Sequence, residues 1–478
     1  MMAAVFALAL VQQGTASPPT PTPTPTPVQR DTVAGRPCQV AIDTVGHYGR
    51  QVEVRPGETD LFAGGGVKAH CQGTNSTLSA DSVAWYAGVG RLDMMGTAQI
   101  RDTSIWLDAE TIHYFLRQER LDAHKNVVAK NPGTGSVLRG PNLTYYRVAR
   151  GIRDTAEMYA TSRPTIEYHA TPDSGEPYVI VGDRVRFKGN DRVWAGGSVT
   201  VDRSDLSAKG DSLLLDETAG FGLLAGHPEV DGKGARSYRL VGRRIEFGLQ
   251  GREIRLIKAL GAGQVTGTDW RLTADTIHLA VTNHKLQQVF AWSTTAAPTT
   301  PAAGGKNTAA RPDSAQPRAV SRQHTIEADS LALDLPDEVL TEARSYGHAR
   351  STSIADTTRP TERDWMVGDT IVAHWTHVPD SAGTGAAAKL ERIVASGHAR
   401  AFTHLHNDRD TTTHTPSLNY SRGDKIDIRL KPGSDRIDEV LVTGRADGLQ
   451  LEPEPVDTTK KKTAGDTTKA GVRKPRKP

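Results

Sequence analysis

The chain has 478 residues, 37% of them apolar and 5% aromatic, with a formal net charge of +3. So little apolar material excludes a set of thick globular cores and favours an array in which each unit packs on its neighbours. The slight basic excess sits around Lys460, Lys461, Lys462, Arg473 and Lys477, where no aromatic residue interleaves the charges; a nucleic-acid stacking platform is therefore not expected.

Residues 1–17 begin with an apolar run too short to span a bilayer, followed by small residues suited to cleavage, and read as a secretory signal with a truncated basic region. Residues 18–35 are a Pro/Thr-rich spacer, and the Thr-Pro alternation from Pro18 to Pro27 predicts an extended segment. Cys38 and Cys71 follow. In an oxidising compartment they could staple the first folded unit; neither has the spacing partners of a zinc site. Residues 36–292 form a first repeat array, 293–319 a flexible insertion rich in Ala, Thr and Pro, 320–451 a second array, and 452–478 a basic disordered tail.

The repeat is the main signal. Its first copy is Leu78-Ser79-Ala80-Asp81-Ser82-Val83-Ala84-Trp85, and others lie at 107–114, 138–145, 180–187, 208–215, 240–247, 272–279, 326–333, 366–373 and 421–428. The third position is always Ala or Gly, the fourth usually Asp, the sixth always Val, Ile or Leu. A second half-unit follows most copies, as in Gly65-Gly66-Val67, Gly96-Thr97-Ala98, Gly197-Ser198-Val199, Gly263-Gln264-Val265, Gly347-His348-Ala349 and Gly397-His398-Ala399. Together the halves recur about every thirty residues and predict one β-hairpin per repeat.

In a regular strand, positions one and three face one side while six and eight face the other. For all four to share one interior, the pleat must slip between them. The small residue and its Asp mark that slip, since Ala or Gly permits close backbone approach and Asp hydrogen-bonds nearby backbone. The expectation is an all-β fold: an elongated antiparallel β-jellyroll, or V-shaped β-taco, of about ten hairpin repeats. At about 4.8 Å per strand its length would be on the order of 100 Å. A calcium role for the Asp residues is not favoured, because they come singly and Glu110, Pro141 or Arg243 replaces them in three copies.

The motifs Leu78-Ser79-Ala80-Asp81-Ser82, Leu272-Thr273-Ala274-Asp275-Thr276-Ile277 and Ile326-Glu327-Ala328-Asp329-Ser330-Leu331 alternate with Ala195-Gly196-Gly197-Ser198-Val199 and Ser396-Gly397-His398-Ala399. This pattern, over most of 61–446, resembles the organic-solvent-tolerance family, the periplasmic lipopolysaccharide-bridge proteins. The resemblance implies a jellyroll that holds lipopolysaccharide acyl chains and joins other jellyroll transport proteins at the inner and outer membranes through its edge strands, with self-association as a further use of those edges. Too few residues follow Leu451 for the family's membrane barrel, and residues 1–11 are too short for its inner-membrane anchor. The exported, soluble periplasmic bridge is the nearest match, here with more repeats and a long insertion.

The predicted lipid groove is lined by Leu78, Val83, Trp85, Leu107, Ile112, Tyr114, Leu143, Tyr145, Val185, Phe187, Leu213, Leu215, Ile245, Phe247, Ile277 and Leu279. The same positions would equally fill a closed core. No catalytic residue, metal or cofactor is expected. Gly210-Asp211-Ser212-Leu213 copies a lipase-type motif and Asp275-Thr276-Ile277-His278 the spacing of its partners, but both Asp residues are the repeat's own fourth position. His398, His404, His406 and His414 read as exposed strand histidines rather than metal ligands. The competing class is a secreted or surface β-solenoid that binds carbohydrate or protein, which would show parallel rungs; a polysaccharide-active β-helix would need clustered carboxylates that the repeat does not supply.

Overall fold

The computed structural model describes residues 38–169, 176–234, 236–250, 253–293, 316–322, 324–354, 363–379, 386–405, 416–432 and 436–452. The expected signal, spacer and tail, and nearly all of the insertion, lie outside the described residues.

The described residues form one sheet of 30 strands in which every strand pairing is antiparallel. No α-helix occurs among them, and therefore none long and apolar enough to cross a membrane. Parallel rungs, the mark of a solenoid, do not occur in these ladders.

Each long strand is folded across its middle, as the repeat requires. In the strand Thr77–Tyr86, Ser79 pairs with Gln99 and Ser82 with Met95, so the register slips around Ala80 and Asp81. Leu78, Ala80 and Val83 are buried on the inside. The same slip lies between Asp108 and Thr111, between His124 and Val127, and between Leu260 and Gly263. One half of each strand therefore belongs to a first leaf and the other half to a second. The two leaves face each other over one continuous apolar cluster running from Cys38 to Ile428. With about 20 segments per leaf at about 4.8 Å, the stack is on the order of 100 Å long.

The fold line is built from two strands at a time. Asp81 Oδ2 accepts the backbone N–H of Thr97 at 3.1 Å and Oδ1 the Thr97 hydroxyl at 2.7 Å. These bonds lower the Asp81 pKa, the hydroxyl being the larger cause. Gly96 beside it has φ +89°, and a Cβ there would run into the Asp81 carboxylate. In later copies the left-handed glycine again lies against the aspartate, and the backbone N–H of Asp183, Asp211, Asp329 and Asp424 donates to the carbonyl of Gly197, Gly226, Gly347 and Gly444. The half-unit predicted at Gly263 is displaced by two residues. The left-handed pair is Gly261 and Ala262, facing Arg243. Lys125-Asn126 and Ser162-Arg163 bend two further strands without glycine; Asn126 donates to Glu110 at 2.7 Å, a local bond that helps hold a left-handed backbone.

The insertion falls on this fold line. Lys285–Trp292 and Arg318–Ser321 flank it, and both pair with Trp270–Thr282, one in each leaf. They in turn pair with Ser330–Asp334 and His324–Glu327. The described strands of the two predicted arrays thus pair within one ladder.

Candidate functional site

Each leaf's connecting turns form one lip of the fold, and polar side chains join the lips. Arg147, on the second leaf's lip, lies 3.3 Å from Asp102 and donates to Ser76 Oγ at 3.2 Å, both on the first leaf's lip. It also donates to the Tyr114 hydroxyl at 3.1 Å and lies 3.6 Å from Glu119. Tyr114 donates to Glu119 Oε2 at 2.6 Å, while Glu119 Oε1 accepts the Cys38 N–H at 2.9 Å. Burial opposes the Arg147 charge, but Tyr114, Asp102 and Glu119 hold its pKa above the ordinary value. Burial pushes the Tyr114 hydroxyl well up, so it stays protonated and donates.

Further along, Asn131 donates to Asn190 across the lips at 2.9 Å, and Arg203 donates to His284 at 2.7 Å while both hold Asp205. Arg203 also stacks over Tyr178, 4.1 Å from the ring centroid; burial pushes the Tyr178 hydroxyl up to about 12. The carboxylate of buried Glu338 lies close to Gly234 on the facing lip. Among the described residues three hydrogen-bonded cross-ties therefore close the mouth along the middle of the stack.

The sixteen residues predicted to line a groove all belong to the interior, but they do not line one channel. Leu107, Ile112, Ile245, Ile277 and Leu279 have no exposure, and Tyr114, Leu143 and Val185 are nearly as buried. These form a packed core, each large apolar side chain contributing roughly 1.5–3 kcal/mol of burial. Leu213, Leu215 and Phe247 border a void of only about 50 Å³. Tyr145 and Phe187 border a cavity of about 300 Å³ that lies between the Arg147 cluster and the Asn131–Asn190 tie, with Ile105, Leu138, Met158 and Tyr168. Leu78, Val83 and Trp85 line an end cavity of about 550 Å³ with Val40, Leu61, Leu92 and Met94. The interior between the leaves thus holds packed stretches and separate chambers.

Repeat spacing alone did not expose a third chamber of about 460 Å³ at the other end, bordered by Ser351, Ser353, Met366, Ile393, Thr403 and Ile428. Its lining mixes apolar side chains with Ser351, Ser353 and Thr403 and with Arg322, His324 and Asp364. The volumes of the two end chambers suit a ligand with an extended apolar portion.

Cys38 and Cys71 are bonded, with Cα atoms 5.1 Å apart, which fixes the segment leading into Val40–Val45 against the strand Glu58–Cys71 beside the first end chamber. The lipase-like motif does not assemble. Ser212 pairs with Gly196 and Ala225, whereas His278 pairs with Lys258 and Phe290 in a distant part of the ladder. Burial, then Lys258, lowers the His278 pKa, and its ring packs 4.4 Å from Trp292. His398 pairs with Asp369 at the fold line and His404 with Asp364 at 2.5 Å; His406 and His414 lie outside the described residues. Among the described residues no group of His, Cys, Asp and Glu is arranged to hold a metal ion.

Among the described residues, the last strands at each end of the stack pair on one side only. Val40–Val45 and Tyr48–Arg55 each pair there with Glu58–Cys71 alone, and Ile437–Thr443 and Asp447–Leu451 with Ser417–Leu430 alone. Ile42, Val45 and Tyr48 at one end, and Leu441, Leu449 and Leu451 at the other, are exposed. No protein-family model and no curated protein matches the chain.

Proposed function

We propose that the chain is a non-enzymatic, exported lipid carrier that holds lipopolysaccharide acyl chains between its leaves and bridges towards the outer membrane. The observation that carries this reading is the apolar space between the leaves, which reaches about 550 Å³ at the disulfide-bonded end. The family resemblance of the Ala-Asp repeat supplies the lipid's identity, and the chambers supply room for chains rather than for a reacting centre. The strand edges at both ends, which no other described strand covers, supply backbone groups for strand addition by other jellyrolls or by a second copy.

Photo-crosslinking side chains placed at Val83, Phe187 and Ile277 test this in cells that make lipopolysaccharide. Capture is expected at Val83 and Phe187, which border chambers, and not at Ile277, which is fully buried in the packed centre. Silence at all three positions, with capture by a control lipid carrier, overturns the reading. Mass spectrometry of lipid copurifying with the exported protein identifies the cargo.

A further inference from the structure

A small pocket sits at the mouth, where the first leaf's turns at Ser237, Gly267 and Arg322 meet the second leaf's short turn Pro336–Glu338. Its space is about 30 Å³, enough for a few atoms and too little for an acyl chain, since one water needs roughly 10–15 Å³. Glu338 and Tyr238 border it and are 7% and 8% exposed. Among the described residues no group hydrogen-bonds or ion-pairs with the Glu338 carboxylate or the Tyr238 hydroxyl, and both keep access to the open space. Burial, followed by the Glu338 charge, pushes the Tyr238 hydroxyl well up, so it stays protonated. A buried carboxylate without a donor destabilises the fold until a ligand supplies one. Trp270 and Trp375 line the same space, and indole is the side chain that attracts a cation most strongly. Arg322 stands at the rim. Its side chain is mostly exposed, lies 2.7 Å from Asp269, and borders both this pocket and the C-terminal chamber.

We propose that the mouth pocket binds a phosphoethanolamine group, its ammonium between Glu338 and Tyr238 beside the two indoles and its phosphate outside against Arg322. The partner sets match, because an ammonium offers only donors while the pocket offers a carboxylate and a phenol oxygen. The guanidinium at the rim suits a phosphate. A bare anion is repelled by Glu338, and a trimethylammonium group is too large for the space. On a lipid, this placement leads the acyl chains past Arg322 into the C-terminal chamber. The inference goes beyond the carrier reading, since a site at the mouth selects its ligand by the polar end and not by the chains.

The test titrates the full chain calorimetrically with O-phosphoethanolamine, glycerol phosphate and phosphocholine. O-phosphoethanolamine is expected to bind about tenfold more tightly than glycerol phosphate, the worth of a charge-assisted hydrogen bond to a buried carboxylate. Phosphocholine should bind no better than glycerol phosphate. Glu338→Gln should abolish the preference, Tyr238→Phe should reduce it about threefold, and Arg322→Gln should weaken both phosphoesters equally; near-ultraviolet circular dichroism checks that each variant is folded. Lysophosphatidylethanolamine, added below its micellar concentration, distinguishes the sources. Tighter binding than the soluble phosphoester makes a lipid the ligand, equal binding makes it the free phosphoester, and either supports the pocket. Equal affinity for O-phosphoethanolamine and glycerol phosphate, a preference that survives Glu338→Gln, or binding of neither overturns the inference. Crosslinking at Val83 and Phe187 reads the carrier proposal separately, because neither residue borders this pocket.

Discussion

The two ends of the stack share one backbone plan and differ in what fills it. At the N-terminal end, Val67, Leu78, Val83 and Met94 face inward and a disulfide pins the outermost strand. At the other end, Met366, Ile371, Ile426 and Ile428 face inward with Ser345, Ser351 and Thr403 among them, and the outermost described strands have no covalent tie. The repeat therefore determines where side chains point, while their size and polarity determine what the interior can hold. Folding does not require the two ends to have the same contents, because each repeat is stabilised chiefly by its neighbours.

That contrast can be broken in three places, taken from the largest expected effect to the smallest. Replacing Cys38 and Cys71 by Ser opens a loop with a sequence separation of 33 residues and should cost about 3–4 kcal/mol in the N-terminal unit. Hydrogen exchange should speed up across 40–71 and stay unchanged across 417–430; an equal loss at both ends would show that the stack unfolds as one unit.

Ser345→Ala addresses the opposite end. The Ser345 hydroxyl has no exposure and no hydrogen-bond partner, so its removal should stabilise the chain by up to about 1 kcal/mol. Denaturant unfolding followed near Trp375 checks this, and a clear destabilisation would reveal a partner for the hydroxyl.

The smallest effect concerns pH. A hydrogen bond to Asp329 at 2.8 Å, followed by the charge of that residue, raises the His348 pKa above its ordinary value near 6.5. A raised folded-state pKa gives stability that is fully present below the unfolded value and lost as pH rises through the folded value. NMR titration should place the His348 midpoint above 6.5, and Asp329→Asn should bring it back. A midpoint unchanged by that substitution removes the ion pair from the fold line.

Much of this architecture was legible in the repeat. Ala80 and Asp81 announced the slip of the pleat because a shared interior for Leu78 and Val83 leaves no other solution. The matching turn was less legible. Gly263 looked like the corner because it precedes Gln264-Val265, yet the left-handed pair is Gly261-Ala262, and Lys125-Asn126 bends its strand with side-chain bonds instead of glycine. The sixteen interior residues were legible as inward-facing but not as core or chamber wall, since that depends on what stands opposite across the leaves. Arg147, Asp102 and Glu119 gave no sequence signal, being scattered turn residues that meet only when the lips close.

The insertion at the fold line has a practical consequence. Trp292 and Arg318 leave the ladder at a corner whose two sides are already fixed by Trp270–Thr282, so the length of chain between them is decoupled from strand registration. Loop-closure entropy grows only slowly with length, which makes this corner the natural address for a grafted fluorescent or affinity module that reports on the protein while both chambers keep their walls.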